Sequence, residues 1–184
     1  MEAIDGEKIV IVDEAYAEFV EDEKFPNCLD LIEEYDNLVV FRTFSKMYGL
    51  AGLRIGYLCA QEAMVDAIKK TCVVYSVNSI AQIAAVSSLD SDEHIFRTRK
   101  LVHESKSFLT QNLNELSLDY VSGEGNFLMV KLPISDTLAY RKLMTRGLMV
   151  RTMSGFRFPG FIRISLSHLP IMEELVDGLK KILK

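Results

Sequence analysis

Residues 8–12 (KIVIV) and 38–41 (LVVF) are apolar runs too short for helices and rich in β-branched side chains. Such runs read as strands buried on both faces, the pattern of an α/β sheet rather than of an alternating half-exposed one. Each stops abruptly in polar residues: Asp13-Glu14-Ala15-Tyr16 after the first, Arg42-Thr43-Phe44-Ser45-Lys46 after the second. A short helix over 28–35 separates them, and a third strand is expected over 54–60 (RIGYLCA), entered from the glycine-spaced segment 49–53. Polar groups therefore gather at strand ends, where open α/β sheets place their ligand sites.

Helical patterns follow. Residues 62–71 are amphipathic, and 78–89 (NSIAQIAAVSSL) are small and apolar almost all round, which predicts a deeply packed helix. From 91 to 116, Ile95, Val102, Leu109 and Leu116 recur every seven residues. That helix would run about 38 Å, enough to join two domains. Its charges (Arg97, Arg99, Lys100, Glu104, Lys106) read as a solvated face. The remainder reads as a compact α+β unit: strands at 126–132, 148–151 and 161–166, a helix over 136–146 stopped by Gly147, and a terminal helix over 172–183. The predicted division is 1–91 and 92–184.

Composition narrows the function classes. Net charge is −5, with no basic block to meet nucleic acid. Mean hydropathy is +0.14, and no apolar stretch has spanning length. The acidic start at 1–7 does not read as a signal peptide. Cys28, Cys59 and Cys72 lack C-x-x-C spacing and read as buried thiols of a reducing, cytoplasmic compartment. His94, His103 and His168 have no metal-ligand spacing and read as surface or packing residues. No metal site and no membrane partner are expected. The lack of a G-x-G-x-x-G after the first strand speaks against a Rossmann-type binding module.

Singly, the polar residues at the strand ends are ordinary: an Asp after a strand usually caps or turns, a Lys is usually solvated, and an Arg opening a strand usually forms an ion pair. Together, Val12-Asp13-Glu14-Ala15-Tyr16 and the run Thr43-Phe44-Ser45-Lys46-Met47-Tyr48-Gly49-Leu50-Ala51-Gly52-Leu53-Arg54-Ile55-Gly56-Tyr57 resemble the cofactor segment of fold-type I aminotransferases, which use pyridoxal 5'-phosphate. The eight-residue step from Lys46 to Arg54 is part of the likeness. The histidinol-phosphate branch is most similar. Its counterparts here include Phe19, Tyr75-Ser76-Val77-Asn78-Ser79, Asn126-Phe127, Arg146-Gly147-Leu148-Met149-Val150-Arg151 and Ile162-Arg163-Ile164-Ser165.

The resemblance implies a fold and a site. The fold is α/β: part of a pyridoxal-phosphate large domain, with a mostly parallel sheet and helices, joined by a long helix to a small C-terminal α+β domain. Lys46 would hold the cofactor covalently and move protons at the substrate. Asp13 would keep the pyridine nitrogen protonated, and Tyr16 would bond the ring oxygen. Thr43, Ser45 and Arg54 would bind the phosphate. Arg163 would take the substrate's anionic end. Arg151 matches a second substrate-side arginine, although Thr152 stands where the subfamily commonly has Asp. Asn126 suits either a place near that anion or a structural role at strand entry.

The activity implied is transamination between histidinol phosphate, or a related amine or amino acid, and 2-oxoglutarate, in histidine biosynthesis. A threonine-phosphate-type decarboxylase and a non-catalytic fragment are the alternatives. The likeness covers only the second half of the family's sequence. A glycine-containing phosphate loop, a ring-stacking aromatic and an Asn for the ring oxygen are thus expected outside this sequence: in the rest of a longer protein, in a separately encoded amino-terminal half, or lost from a truncated gene. The family's habit of sharing sites across dimers implies self-association.

Overall fold

The computed structural model describes residues 8–183, so the acidic start at 1–7 lies outside the described residues. The chain forms two compact units that divide between Ile95 and Phe96.

In the first unit β1 (Val10–Asp13) pairs in parallel with β2 (Leu38–Thr43), and β2 pairs antiparallel with β3 (Gly56–Ala60). The mostly parallel sheet expected from the sequence is therefore, among the described residues, one parallel and one antiparallel ladder. The connection 44–55 carries a tight turn and a 3-10 turn (Ala51–Leu53) and returns the chain beside β2 in the opposite direction. Leu38, Val39 and Val40 are buried, as a central strand requires. The helix expected over 28–35 is a 3-10 turn, Cys28–Leu31, capped by Asn27 Oδ1 accepting from Leu29 N–H.

Two helices follow: α1 (Glu62–Lys69) and α2 (Ser79–Leu89), the latter opened by Asn78 Oδ1 accepting from Ala81 N–H at 2.8 Å. The expectation that α2 is deeply packed is not met. Only Ala81 and Ala85 are buried, while Ile80, Ile83 and Val86 are 70 %, 68 % and 66 % exposed. Two alanines give one narrow stripe for close packing, and the bulky side chains around it find no cover among the described residues. The cysteines also differ from expectation. Cys28 and Cys59 are half-buried and Cys72, just past α1, is exposed.

The helix α3 (Asp92–Glu115) spans the division between the units and buries Val102, Ser105, Leu109 and Leu113. In the second unit, β4 (Tyr120–Ser122), β5 (Phe127–Lys131), β6 (Arg151–Thr152) and β7 (Phe161–Ser165) form an antiparallel sheet in the order β4-β5-β7-β6. Strand β6 has two residues where four were expected. Leu128, Val130, Ile162 and Ile164 point into the core, and their alternates Phe127, Met129, Phe161 and Arg163 lie on the other face. The helices α4 (Asp136–Met144) and α5 (Leu169–Ile182) complete the unit, with Leu143, Leu175 and Leu179 buried. The stop after α4 is as read from the sequence: Gly147 has φ +76°, and Leu148 N–H donates to Leu143 O at 3.1 Å.

Candidate active site

Strand register decides which side chains meet. Asp13 lies beside Phe41 on the parallel pair, and Thr43 lies beside Gly56 on the antiparallel pair. The carboxyl ends of β1 and β2 and the amino end of β3 thus share one edge of the sheet. That edge carries Asp13, Tyr16, Thr43, Ser45, Lys46 and Arg54. Strands β2 and β3 approach so closely there that a Cβ on Gly56 would meet Arg42 O at 2.8 Å.

Asp13 is exposed, and its Oδ1 accepts from Ala15 N–H at 3.1 Å, which starts the turn leading to Tyr16. Lys46 is exposed, and its Nζ lies 5.4 Å from the Tyr16 ring centroid. Lys46 makes no ion pair among the described residues. Thr43 Oγ1 accepts from Ser45 N–H at 3.0 Å, so the two hydroxyl-bearing residues share one tight turn. Arg54 takes a left-handed backbone, φ 55°, and donates from Nη1 to Ala51 O at 2.9 Å. A non-glycine residue pays for that conformation, and such strain gathers at ligand sites.

Two supports for this edge were not foreseen in the sequence. Glu14 is buried, and its Oε2 accepts from Arg42 Nη2 at 2.7 Å and Nε at 3.0 Å, while Oε1 accepts from Cys28 N–H at 3.2 Å. Burial by itself raises the Glu14 carboxyl, but the hydrogen bonds from Arg42 and Cys28 and the Arg42 charge together hold it below the usual range. The pair ties the turn after β1 to β2 and so steadies the residues on both sides of it. The second support is His94, whose Nε2 meets Met47 O at 3.0 Å, directly after Lys46. Neither shows a local spacing, because the partners lie 28 and 47 positions apart.

The second unit carries Asn126, Arg151 and Arg163. Arg151 and Arg163 are direct cross-strand partners of β6 and β7, so their side chains leave the same face. Each guanidinium lies over an aromatic ring, Arg151 over Phe156 at 5.2 Å and Arg163 over Phe127 at 5.1 Å. Arg163 Nε is buried and has no hydrogen-bond acceptor among the described residues. Two arginine positions thus stand side by side, with an unused buried donor on one of them. Asn126 O accepts from Leu166 N–H at 2.9 Å, a structural task at strand entry.

The family model for aminotransferase class I and II matches residues 5–179. The chain belongs to that family. Among curated aminotransferases, this chain is 35 % identical over 183 residues to the histidinol-phosphate aminotransferase of Caldicellulosiruptor saccharolyticus, covering 100 % of itself and 51 % of the relative. It is 37 % identical over 185 residues to histidinol-phosphate aminotransferase 2 of Carboxydothermus hydrogenoformans, again covering 100 % of itself and 51 % of the relative. The crystal structure of histidinol-phosphate aminotransferase from Sinorhizobium meliloti, in complex with pyridoxal-5'-phosphate, shares the fold. The TM-score is 0.86 at 24 % identity, with 99 % of this chain and 50 % of that one covered. The chain spans about half the length of the curated relatives it matches.

The donor set at the sheet edge fits the cofactor implied by this family. An amine, a carboxylate, a phenol, two hydroxyls and a guanidinium lie together, and these are the groups needed to hold an aldehyde, a pyridine nitrogen, a ring oxygen and a phosphate. No described helix is long and apolar enough to cross a membrane, and no described group of His, Cys, Asp and Glu is arranged to hold a metal ion.

Proposed function

We propose that this chain is the lysine-bearing half of a pyridoxal-phosphate aminotransferase of the histidinol-phosphate type, acting in histidine biosynthesis. The gathering of Asp13, Tyr16, Thr43, Ser45, Lys46 and Arg54 on one sheet edge carries this reading. The two relatives at 35 % and 37 % identity support the substrate class. When bound, pyridoxal phosphate supplies an aldehyde that takes up amino groups and a ring that accepts electron density.

The chain's own residues do the rest. Lys46 Nζ is the nucleophile that holds the cofactor and, when free, the base that moves a proton at the substrate Cα. The Asp13 carboxylate holds a proton on the pyridine nitrogen, and the Tyr16 hydroxyl donates to the ring oxygen. Thr43, Ser45 and Arg54 bind the phosphate. Arg163, with Arg151 beside it and Asn126 nearby in sequence to the same sheet, takes the anionic end of the substrate: phosphate in histidinol phosphate, carboxylate in 2-oxoglutarate. The first unit is then the C-terminal part of the large cofactor domain and the second the small substrate-side domain.

Turnover requires the parts that the other half of the family supplies. The exposed Ile9 and Ile11, the outer edge of β1 (unpaired among the described residues) and the bare face of α2 favour cover by that half or by a second copy of the chain. The half-length coverage also favours a second reading, a fragment that folds without turning over.

An absorbance titration with pyridoxal phosphate separates the two. The first reading expects a new band near the visible edge, fixed by borohydride and lost in Lys46→Ala. Identical free-cofactor spectra for wild type and variant would leave the fragment reading. In a chain that takes up the cofactor, amino transfer dependent on 2-oxoglutarate, set against CO₂ release, then distinguishes transaminase from decarboxylase.

A further inference from the structure

The arginine pair of the second unit sits on weak local structure. Strand β6 has two residues, Arg151 and Thr152, and so short a ladder holds little register by itself. Facing guanidinium groups oppose that register. Something else must hold the two strands together.

Asp136, at the start of α4, is 2 % exposed. Its Oδ2 accepts from Met153 N–H at 3.0 Å and Ser154 N–H at 2.9 Å. Its Oδ1 accepts from the Ser154 hydroxyl at 2.6 Å and from Gly160 N–H at 3.5 Å. All four donors belong to the connection from β6 to β7, between Arg151 and Arg163. That connection turns through two left-handed residues, Arg157 (φ 65°) and Gly160 (φ 79°), and Gly160 O accepts from Leu132 N–H at 2.9 Å. Burial alone raises the Asp136 carboxyl, but the bonds from Ser154, Gly160 and Met153 outweigh it and hold it ionised below the usual range. An ionised carboxylate is the side chain that accepts on both oxygens. An amide at this site would turn an NH₂ toward donors.

We propose that Asp136 is the positioning residue of the Arg151–Arg163 pair: by clamping both ends of the β6–β7 connection it holds two guanidinium groups side by side for one anion. This rests on the reading of that pair as the substrate's anion site. The hydrogen bonds of Asp136 go to Met153, Ser154 and Gly160 rather than to either arginine, so its effect is carried by the backbone of residues 153–160.

The test uses the whole 184-residue chain, titrated with inorganic phosphate and followed by the Nε–Hε resonances of Arg151 and Arg163. Wild type is expected to show both resonances moving on one saturable isotherm. Asp136→Asn is expected to weaken phosphate at Arg163 by about tenfold and to uncouple the two isotherms. Ser154→Ala removes one donor from the clamp, and about a threefold loss is expected, restored by Ser154→Thr. If Asp136→Asn does not fold, the two Ser154 variants decide the matter. Variants that melt earlier yet bind phosphate as wild type does would reduce Asp136 to a structural role and overturn the proposal. A wild-type chain in which phosphate leaves Arg163 unmoved would instead overturn the anion-site reading itself, and the proposal with it.

Discussion

The two units differ in how completely each covers its own core. In the second, α4 meets β7, β6 and α5, and Leu109, Leu113, Leu128, Leu143, Ile162 and Leu179 are all fully buried. In the first, full burial is confined to the central strand β2 and to Met47 and Ala81. Its remaining apolar surface, including Val73, Val74 and Tyr75 besides α2 and β1, is open. Yet the first unit carries the densest set of reactive side chains. A closed core makes a domain self-sufficient, whereas the open one leaves its chemistry dependent on whatever covers it.

The largest effect that would sharpen this contrast is Arg42→Ala. It leaves the buried Glu14 carboxylate without its partner, at a cost of about 3–5 kcal/mol. Hydrogen exchange resolved by residue should show the first unit losing protection while Leu128 and Ile162 keep theirs. Equal loss in both units would mean that they unfold as one body, and the contrast would fail.

Acid comes next. The Glu14 and Asp136 carboxyls both lie below their ordinary values in the folded chain. Folded values below unfolded ones mean stability that is fully present above the unfolded pKa, about 3.9 for Asp and 4.3 for Glu. It is lost as the pH falls through the folded values, beneath that range. Near-ultraviolet circular dichroism should therefore stay flat from neutrality down to about pH 5 and fall only below it. A transition close to neutral pH would assign acid sensitivity to other groups.

The smallest effect is expected at the bare helix. Ile83→Ser on α2 should change the unfolding free energy by no more than about 0.5 kcal/mol, because the side chain is already in water. The same change should lower self-association in sedimentation velocity. A cost of several kcal/mol, with association unchanged, would show that the face is covered within this chain.

Much of this was legible in local pattern. The runs at 8–12 and 38–41 are strands because short β-branched stretches have few other uses, and Gly147 ends α4 because its backbone must turn left-handed. The residues of the sheet edge could be named from their motif, since Ser45, Lys46 and Arg54 lie within one short stretch. The packing of α2 could not be read in this way. Its apolar composition shows that some surface should cover it, but not that the surface belongs to the same described chain. The three strands were legible, but the antiparallel run of β3 was not, because strand direction depends on how a connection closes rather than on the strands' own residues.

What the sequence determined by itself was the inventory: which segments extend, which coil, and which amine, carboxylate and guanidinium groups are at hand. Only the tertiary structure decided who meets whom. It set Arg42 against Glu14, His94 against the Met47 carbonyl, and Asp136 under the connection between two arginines. Those partners are 17 to 47 positions apart. Periodicity and motif spacing act over a few residues, and chain closure over longer distances is settled by burial and hydrogen bonding across the whole fold.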